Sequence, residues 1–138
     1  MLSECIKKMR DATQGEQESI NAYIDKISVN TGVNFYAKPV VKLWIDDVRK
    51  APDGYVWLRS VNDTITYIKQ NANVVSIELI DMDHDAGDFV CDGGDYIRIL
   101  DWLETSNLCF NIRIHSQNPV GVQNMRAIIE RNCWKELK

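Results

Sequence analysis

The sequence predicts an α/β fold built on a mainly parallel sheet, and three observations carry that reading. Three apolar runs each end abruptly in polar residues: Val40 to Ile45 runs into Asp46-Asp47, the run from Val74 ends in the cluster Asp81, Asp83, His84 and Asp85, and Phe110 to Ile114 ends in His115-Ser116-Gln117-Asn118-Pro119. A strand that stays apolar along most of its length is one buried on both faces, as in a parallel sheet. Segments of helical period stand between the runs, and helical crossovers make consecutive strands parallel. Both of the chain's two histidines fall in these terminal clusters. Parallel strands bring their carboxyl ends to one edge, which is where open α/β sheets place their ligands.

Ahead of the sheet, Leu2, Ile6 and Met9 recur at helical spacing, and Ile20, Tyr23, Ile24 and Ile27 do so again beyond a break around Gly15. Two helices, or one broken at Gly15, are expected to form an extension over residues 1–38 packed on a single domain that spans residues 1–138. After the first strand, Pro52-Asp53-Gly54 supplies turn chemistry and leaves no room for a helix before the strand-like Tyr55 to Arg59. Asn62 is the expected cap of a helix that begins near Asp63, buries Ile65 and Ile68, and ends in the Asn71-Ala72-Asn73 tract. The central strand exits into a polar loop, Ala86 to Gly94. A helix from about Asp95 to Thr105 then carries Tyr96, Ile99, Leu100 and Leu103 on one face. Beyond Pro119, Val122, Met125, Ile128 and Ile129 outline a last helix, leaving Trp134 and Leu137 for a docked tail.

A chain of 138 residues buries roughly two thirds of its unfolded surface, so no disulfide or structural metal is needed to hold one core. Its four cysteines are far apart with no Cys-x-x-Cys pair, which argues against zinc-ribbon and thioredoxin-like chemistry. Cys109 reads as a small buried apolar residue. A formal charge of −4 argues against duplex DNA as a partner, because counterion replacement needs clustered Lys and Arg. Met1 to Arg10 intersperses charges and lacks a signal-like apolar core, and no apolar run is long enough to cross a bilayer. A cytoplasmic protein that does not contact membrane is the expectation. Oligomeric state is left open.

The polar clusters suggest specific chemistry. Adjacent Asp46 and Asp47, facing Asp83 from a neighbouring strand, make an all-oxygen site for magnesium or another divalent cation, which favours a few carboxylates plus waters and phosphate oxygens. His84 lies between two aspartates, and a carboxylate beside an imidazole orients it for acid or base work. His115 opens the third cluster, where Ser116 and Asn118 are candidate donors to phosphate oxygens. Arg49 is a candidate bidentate phosphate clamp, and Asp85 completes the ligand-facing set. The four tryptophans read as packing residues rather than base-stacking platforms. Gly87, Gly93 and Gly94 do not follow a nucleotide-binding fingerprint.

Taken together, Leu43-Trp44-Ile45-Asp46-Asp47-Val48-Arg49 with Pro52-Asp53-Gly54, then Asp83-His84-Asp85, then His115-Ser116-Gln117-Asn118-Pro119 resembles the cyclic-phosphate processing receiver domains, a divergent group of the two-component receiver fold. The resemblance covers about Lys42 to Arg131. It implies a receiver-like, flavodoxin-like three-layer sandwich with the first helix reduced and extra amino-terminal helices. It also implies a phosphoesterase role on cyclic phosphates, such as 2',3'-cyclic phosphate RNA ends or cyclic nucleotides, with metal at Asp46, Asp47 and Asp83 and catalysis by His84, His115 and Asp83. The two histidines have no counterpart in ordinary receivers. The chain departs from the plain receiver in its short first connection and in lacking a clear fifth strand that ends in lysine, Lys135 standing in a segment that is not strand-like. The competing expectation is a non-catalytic receiver-like module that holds a nucleotide or phosphate ligand, or is phosphorylated on Asp83. A blander one is a docking protein whose amino-terminal helices carry the interface.

Overall fold

Four parallel strands in the order β2-β1-β3-β4 form the sheet: β1 is Val40–Ile45, β2 Tyr55–Leu58, β3 Ser76–Met82 and β4 Ile112–Ile114. The computed structural model describes residues 14–32 and 37–138, and the chain divides into two units, Met1–Pro39 and Val40–Lys138. In the first unit, helix α1 spans Gln14–Thr31, so Gly15 lies in its first turn. Tyr23 on this helix is exposed, while Ile24 and Ile27 are half-buried. The stripe of Leu2, Ile6 and Met9 lies outside the described residues.

In the second unit, three helices follow the strands: α2 Val61–Asn71, α3 Ile97–Thr105 and α4 Pro119–Arg131, with one 3-10 turn at Gly87–Phe89. The order of strands reverses between β1 and β3, so the carboxyl ends of these two flank a switch point. Leu43, Ile45, Ile80, Met82 and Ile112 point to one face of the sheet and are fully buried with Ile68, Ile99, Leu100, Leu103 and Met125 from the three helices. Each such side chain contributes about 1.5–3 kcal/mol of burial, which is what fixes the strand register. Strand alternation sends Trp44, Trp57, Asp81 and Arg113 to the opposite face, and the same parity continues past the strand ends to Asp46, Asp83 and His115.

Several local details differ from the sequence expectation for physical reasons. Ser60, rather than Asn62, caps α2: its Oγ accepts from the Asp63 N–H at 3.0 Å, whereas the Asn62 side chain donates to Asp92 Oδ1 at 2.9 Å and ties the Ala86–Gly94 loop to α2. Strand β4 begins at Ile112 rather than Phe110, and just before it the Asn111 carbonyl accepts from the Ile80 N–H at 2.9 Å while the Asn111 side chain donates to the Glu78 carbonyl at 2.9 Å. Cys109 is exposed. The tail after α4 does contain one strand-like contact, a parallel bridge of Glu136 to Ile112. The Ile112 N–H donates to Lys135 O at 3.0 Å and the Leu137 N–H to Ile112 O at 2.8 Å. Lys135 therefore stands beside the first residue of β4, at the opposite end from His115. The connection from β1 to β2 holds no helix, and Gly54 makes its turn at φ +84°.

A fork of Arg131 to Glu104 at 2.7 and 2.8 Å joins α4 to α3, and these hydrogen bonds, with one from Asn132, pull the Glu104 carboxyl down to about 2. The cap on α2 is directly testable. Ser60→Ala is expected to lower unfolding stability by about 1 kcal/mol in urea titrations, with Asn62→Ala close to neutral as a cap; the reverse order would return the cap to Asn62.

Candidate functional site

The site grows from the first residue past β1. Asp46 is 1% exposed, and its carboxylate is saturated. Oδ1 accepts from the N–H groups of Val48 at 2.9 Å and Arg49 at 2.6 Å; Oδ2 accepts from Arg49 Nε at 2.7 Å and lies 3.1 Å from His115 Nε2. Burial pushes the Asp46 carboxyl up, but the two backbone N–H groups, the Arg49 guanidinium and His115 outweigh it and hold it below the ordinary carboxylate value. The Arg49 fork continues to Asp83 Oδ2 at 2.7 Å and to the His115 carbonyl at 3.1 Å, so one side chain joins the tips of β1, β3 and β4. Burial pushes the Arg49 pKa down, and the carboxylates of Asp46 and Asp83 more than reverse that, so it stands above the ordinary arginine value.

His115 is braced on both nitrogens. Its Nδ1 is 2.6 Å from Asp81 Oδ1, its Nε2 faces Asp46, and its ring stacks on Trp44 at 3.9 Å and 8° between planes. Both ring nitrogens thus face a buried carboxylate. Asp81 is 2% exposed inside β3 and also accepts from Arg113 at 3.1 Å. The other histidine is held differently. His84 Nδ1 lies 2.8 Å from Asp85 Oδ1, and its ring rests on the first turn of α4, where a Cβ on Gly121 would come within 2.4 Å of it. Asn118 caps that helix by accepting from the Gly121 N–H at 3.0 Å, while its amide donates to Asp85 at 3.2 Å.

Asp47 points to the helical face. A Cβ on Gly87, which sits at φ +50°, would collide with its Oδ2. Its carbonyl accepts two N–H groups from Arg59, whose guanidinium lies between the rings of Trp57 and Phe89. Asp46, Asp47 and Asp83 each offer an oxygen within 4.8 Å of the others. This all-oxygen set fits a hard divalent cation, and the guanidinium seated between two of the three carboxylates marks the spot as cation-attracting. The cleft over them has a volume of about 580 Å³ and is lined by Asp46, Asp47, Val48, Arg49, Asp83, Asp85, Gln117 and Asn118.

A family model described as the cyclic-phosphate processing receiver domain matches residues 41–131. The chain belongs to this family. No curated protein and no solved structure matches the chain. In this cyclic-phosphate processing receiver domain, the tips of three adjacent strands gather Asp46, Asp47, Arg49, Asp83, Asp85, Asn118 and both histidines at one sheet edge. Ser116 stands apart from the lining: its Oγ accepts from the Asn118 N–H at 3.2 Å and shapes the turn into α4. Neither imidazole lines the cleft; both lie behind the carboxylates that do.

Sequence reasoning gave no site role to Asp81, Trp44, Arg59, Gly87, Gly121 or Gln117. One signal was available for Gly121: a glycine inside a helix costs about 1 kcal/mol against alanine, which points to a close approach. Gly121→Ala is accordingly expected to destabilise the domain by about 1–3 kcal/mol and to move the His84 ring signals in NMR spectra, with those of His115 unmoved. Unshifted His84 signals would contradict the packing. A second expectation concerns acid. The folded value of Asp46 lies below its unfolded value, so its contribution is complete above about pH 4 and is lost as pH falls through the folded value. The stability gap between wild type and Asp46→Asn should therefore narrow as pH falls below about 4; a gap independent of pH would contradict the depressed carboxyl.

Proposed function

We propose that this domain is a phosphoesterase that opens cyclic phosphates, carried on RNA ends or on nucleotides, with proton transfer by its histidines. The observation that supports it is the delivery of a carboxylate trio and two carboxylate-held imidazoles to one sheet edge by three strands distant in sequence. A divalent cation, magnesium or a similar hard ion, held by Asp46, Asp47 and Asp83, would neutralise charge on the phosphoryl oxygens. Asp85 holds His84 through Nδ1 and leaves Nε2 to take the proton of the attacking water, the arrangement in which a carboxylate fixes the tautomer of a general base. His115, whose Nε2 must exchange Asp46 Oδ2 for the departing sugar oxygen, returns a proton to that oxygen, and Asp83 holds Arg49 and the His84 backbone in register. Asn118 and Asp85 at the mouth contact the ligand's hydroxyl and amide groups, and Ser116 holds Asn118 in place.

One observation favours a second reading, a module that binds a nucleotide or phosphate ligand, or carries phosphate on Asp83, without turnover: the imidazoles stand behind the cleft rather than on its wall. Incubating the purified protein with a panel of cyclic phosphodiesters, with and without EDTA, separates the two. The phosphoesterase reading expects a ring-opened monoester, a rate reduced on the order of a hundredfold or more in His84→Ala and in His115→Ala, and loss of activity with EDTA. Ligand retention with no product, or wild-type turnover in both variants, would overturn it.

A further inference from the structure

The Asp46 carboxylate has about four acceptor positions, and four nitrogens face them: the backbone N–H groups of Val48 and Arg49 donate to Oδ1, Arg49 Nε donates to Oδ2, and His115 Nε2 lies 3.1 Å from Oδ2. Asp83 is engaged on both oxygens as well, by the His84 N–H at 2.7 Å on Oδ1 and by the Arg49 fork at 2.7 Å on Oδ2. Among the described residues nothing donates to the Asp47 carboxylate, so it is the one member of the trio with open oxygens. A cation entering this site finds two of its three ligands already neutralised by a single guanidinium. The backbone donors belong to the turn after β1 and cannot leave without unwinding it. The Arg49 side chain is 43% exposed and lines the cleft, so it can swing out.

We infer that the Arg49 guanidinium and a divalent cation are mutually exclusive occupants of Asp46 Oδ2 and Asp83 Oδ2: Arg49 is a resident cation that must let go before the site loads. This rests on the reading that the trio takes a divalent ion, and it adds the element that regulates loading. Two consequences follow from the charges. Without the ion, Arg49 keeps the buried Asp46 and the β3 tip compensated, which holds the site in shape. With the ion, the released fork remains at the cleft mouth with its donors free for an anionic oxygen, so ion and anionic ligand favour each other's binding.

The probe is Mn²⁺ alone, its binding followed by loss of the free-ion electron paramagnetic resonance signal on the full chain. Arg49→Met, which removes the competing charge and keeps the stem, is expected to bind Mn²⁺ at least about tenfold more tightly than wild type. Equal or weaker binding by Arg49→Met would overturn the exclusion while leaving the metal reading intact; absence of Mn²⁺ binding by both proteins would overturn both. Should Arg49→Met not fold, the wild type carries the same test. Its Arg49 Nε–H resonance is expected to move toward that of a free arginine as Mg²⁺ saturates, and an unmoved resonance under saturable Mg²⁺ binding would overturn the inference.

Discussion

A buried carboxylate must be fully compensated, and Asp46 is the residue on which that constraint falls here. Taking it out of water without partners would cost several kcal/mol, and removing one member of a buried pair costs about 3–5 kcal/mol. The fold meets the requirement from three directions: the turn after β1 supplies two backbone donors, the Arg49 side chain on that turn supplies a third, and the His115 ring beyond β4 closes over Oδ2 with its Nε2 at 3.1 Å. The same requirement recurs one layer out. His115 must itself be satisfied, and Asp81 inside β3 does so while drawing in Arg113. Compensation of one acid therefore ties together the tips of three strands, two of which are not hydrogen-bonded neighbours.

That chain of dependence explains why the edge of the sheet is both densely hydrogen-bonded and charged. The Ala86–Gly94 loop is pinned to α2 through Asn62 and Asp92, and Tyr96 anchors the start of α3 to the Arg59 carbonyl at 2.7 Å. Burial pushes the Tyr96 hydroxyl well above its usual value, and the nearby carboxylates of Asp47, Asp46 and Asp83 push it the same way, so it remains a donor. Arg59, clasped between Trp57 and Phe89, fixes the main chain at Asp47. Around this frame only Val48, Arg49, Asp85 and Gln117 stand out at the mouth as exposed side chains.

Much of this was legible in the residues, and the rest was hidden for identifiable reasons. The apolar runs ending in Asp46-Asp47, Asp83-His84-Asp85 and His115 announced parallel strands with a common polar edge, because burial on both faces and abrupt ionic termini leave a pattern in one dimension. Asp81 was invisible as a structural acid: it falls in the same acidic cluster as Asp83, and only the register that sets it beside Trp44 and Arg113 shows it to be buried. Gly87 and Gly121 permit close approaches of Asp47 and His84, contacts between segments distant in sequence that no local spacing encodes. Ser60 and Asn62 are both good cap types, and only backbone geometry gives the cap to Ser60. The bridge at Glu136 is a single residue long, too short to leave an alternating pattern.

The link between the tips of β1 and β4 is the contact on which the compensated site depends. A double-mutant cycle of Asp46→Asn and His115→Ala, read by urea unfolding, measures it, because these strands are separated by β3 and their ends communicate across the site. A coupling of at least about 1 kcal/mol is expected; effects that add within about 0.5 kcal/mol would mean that the three strand tips do not form one compensated unit.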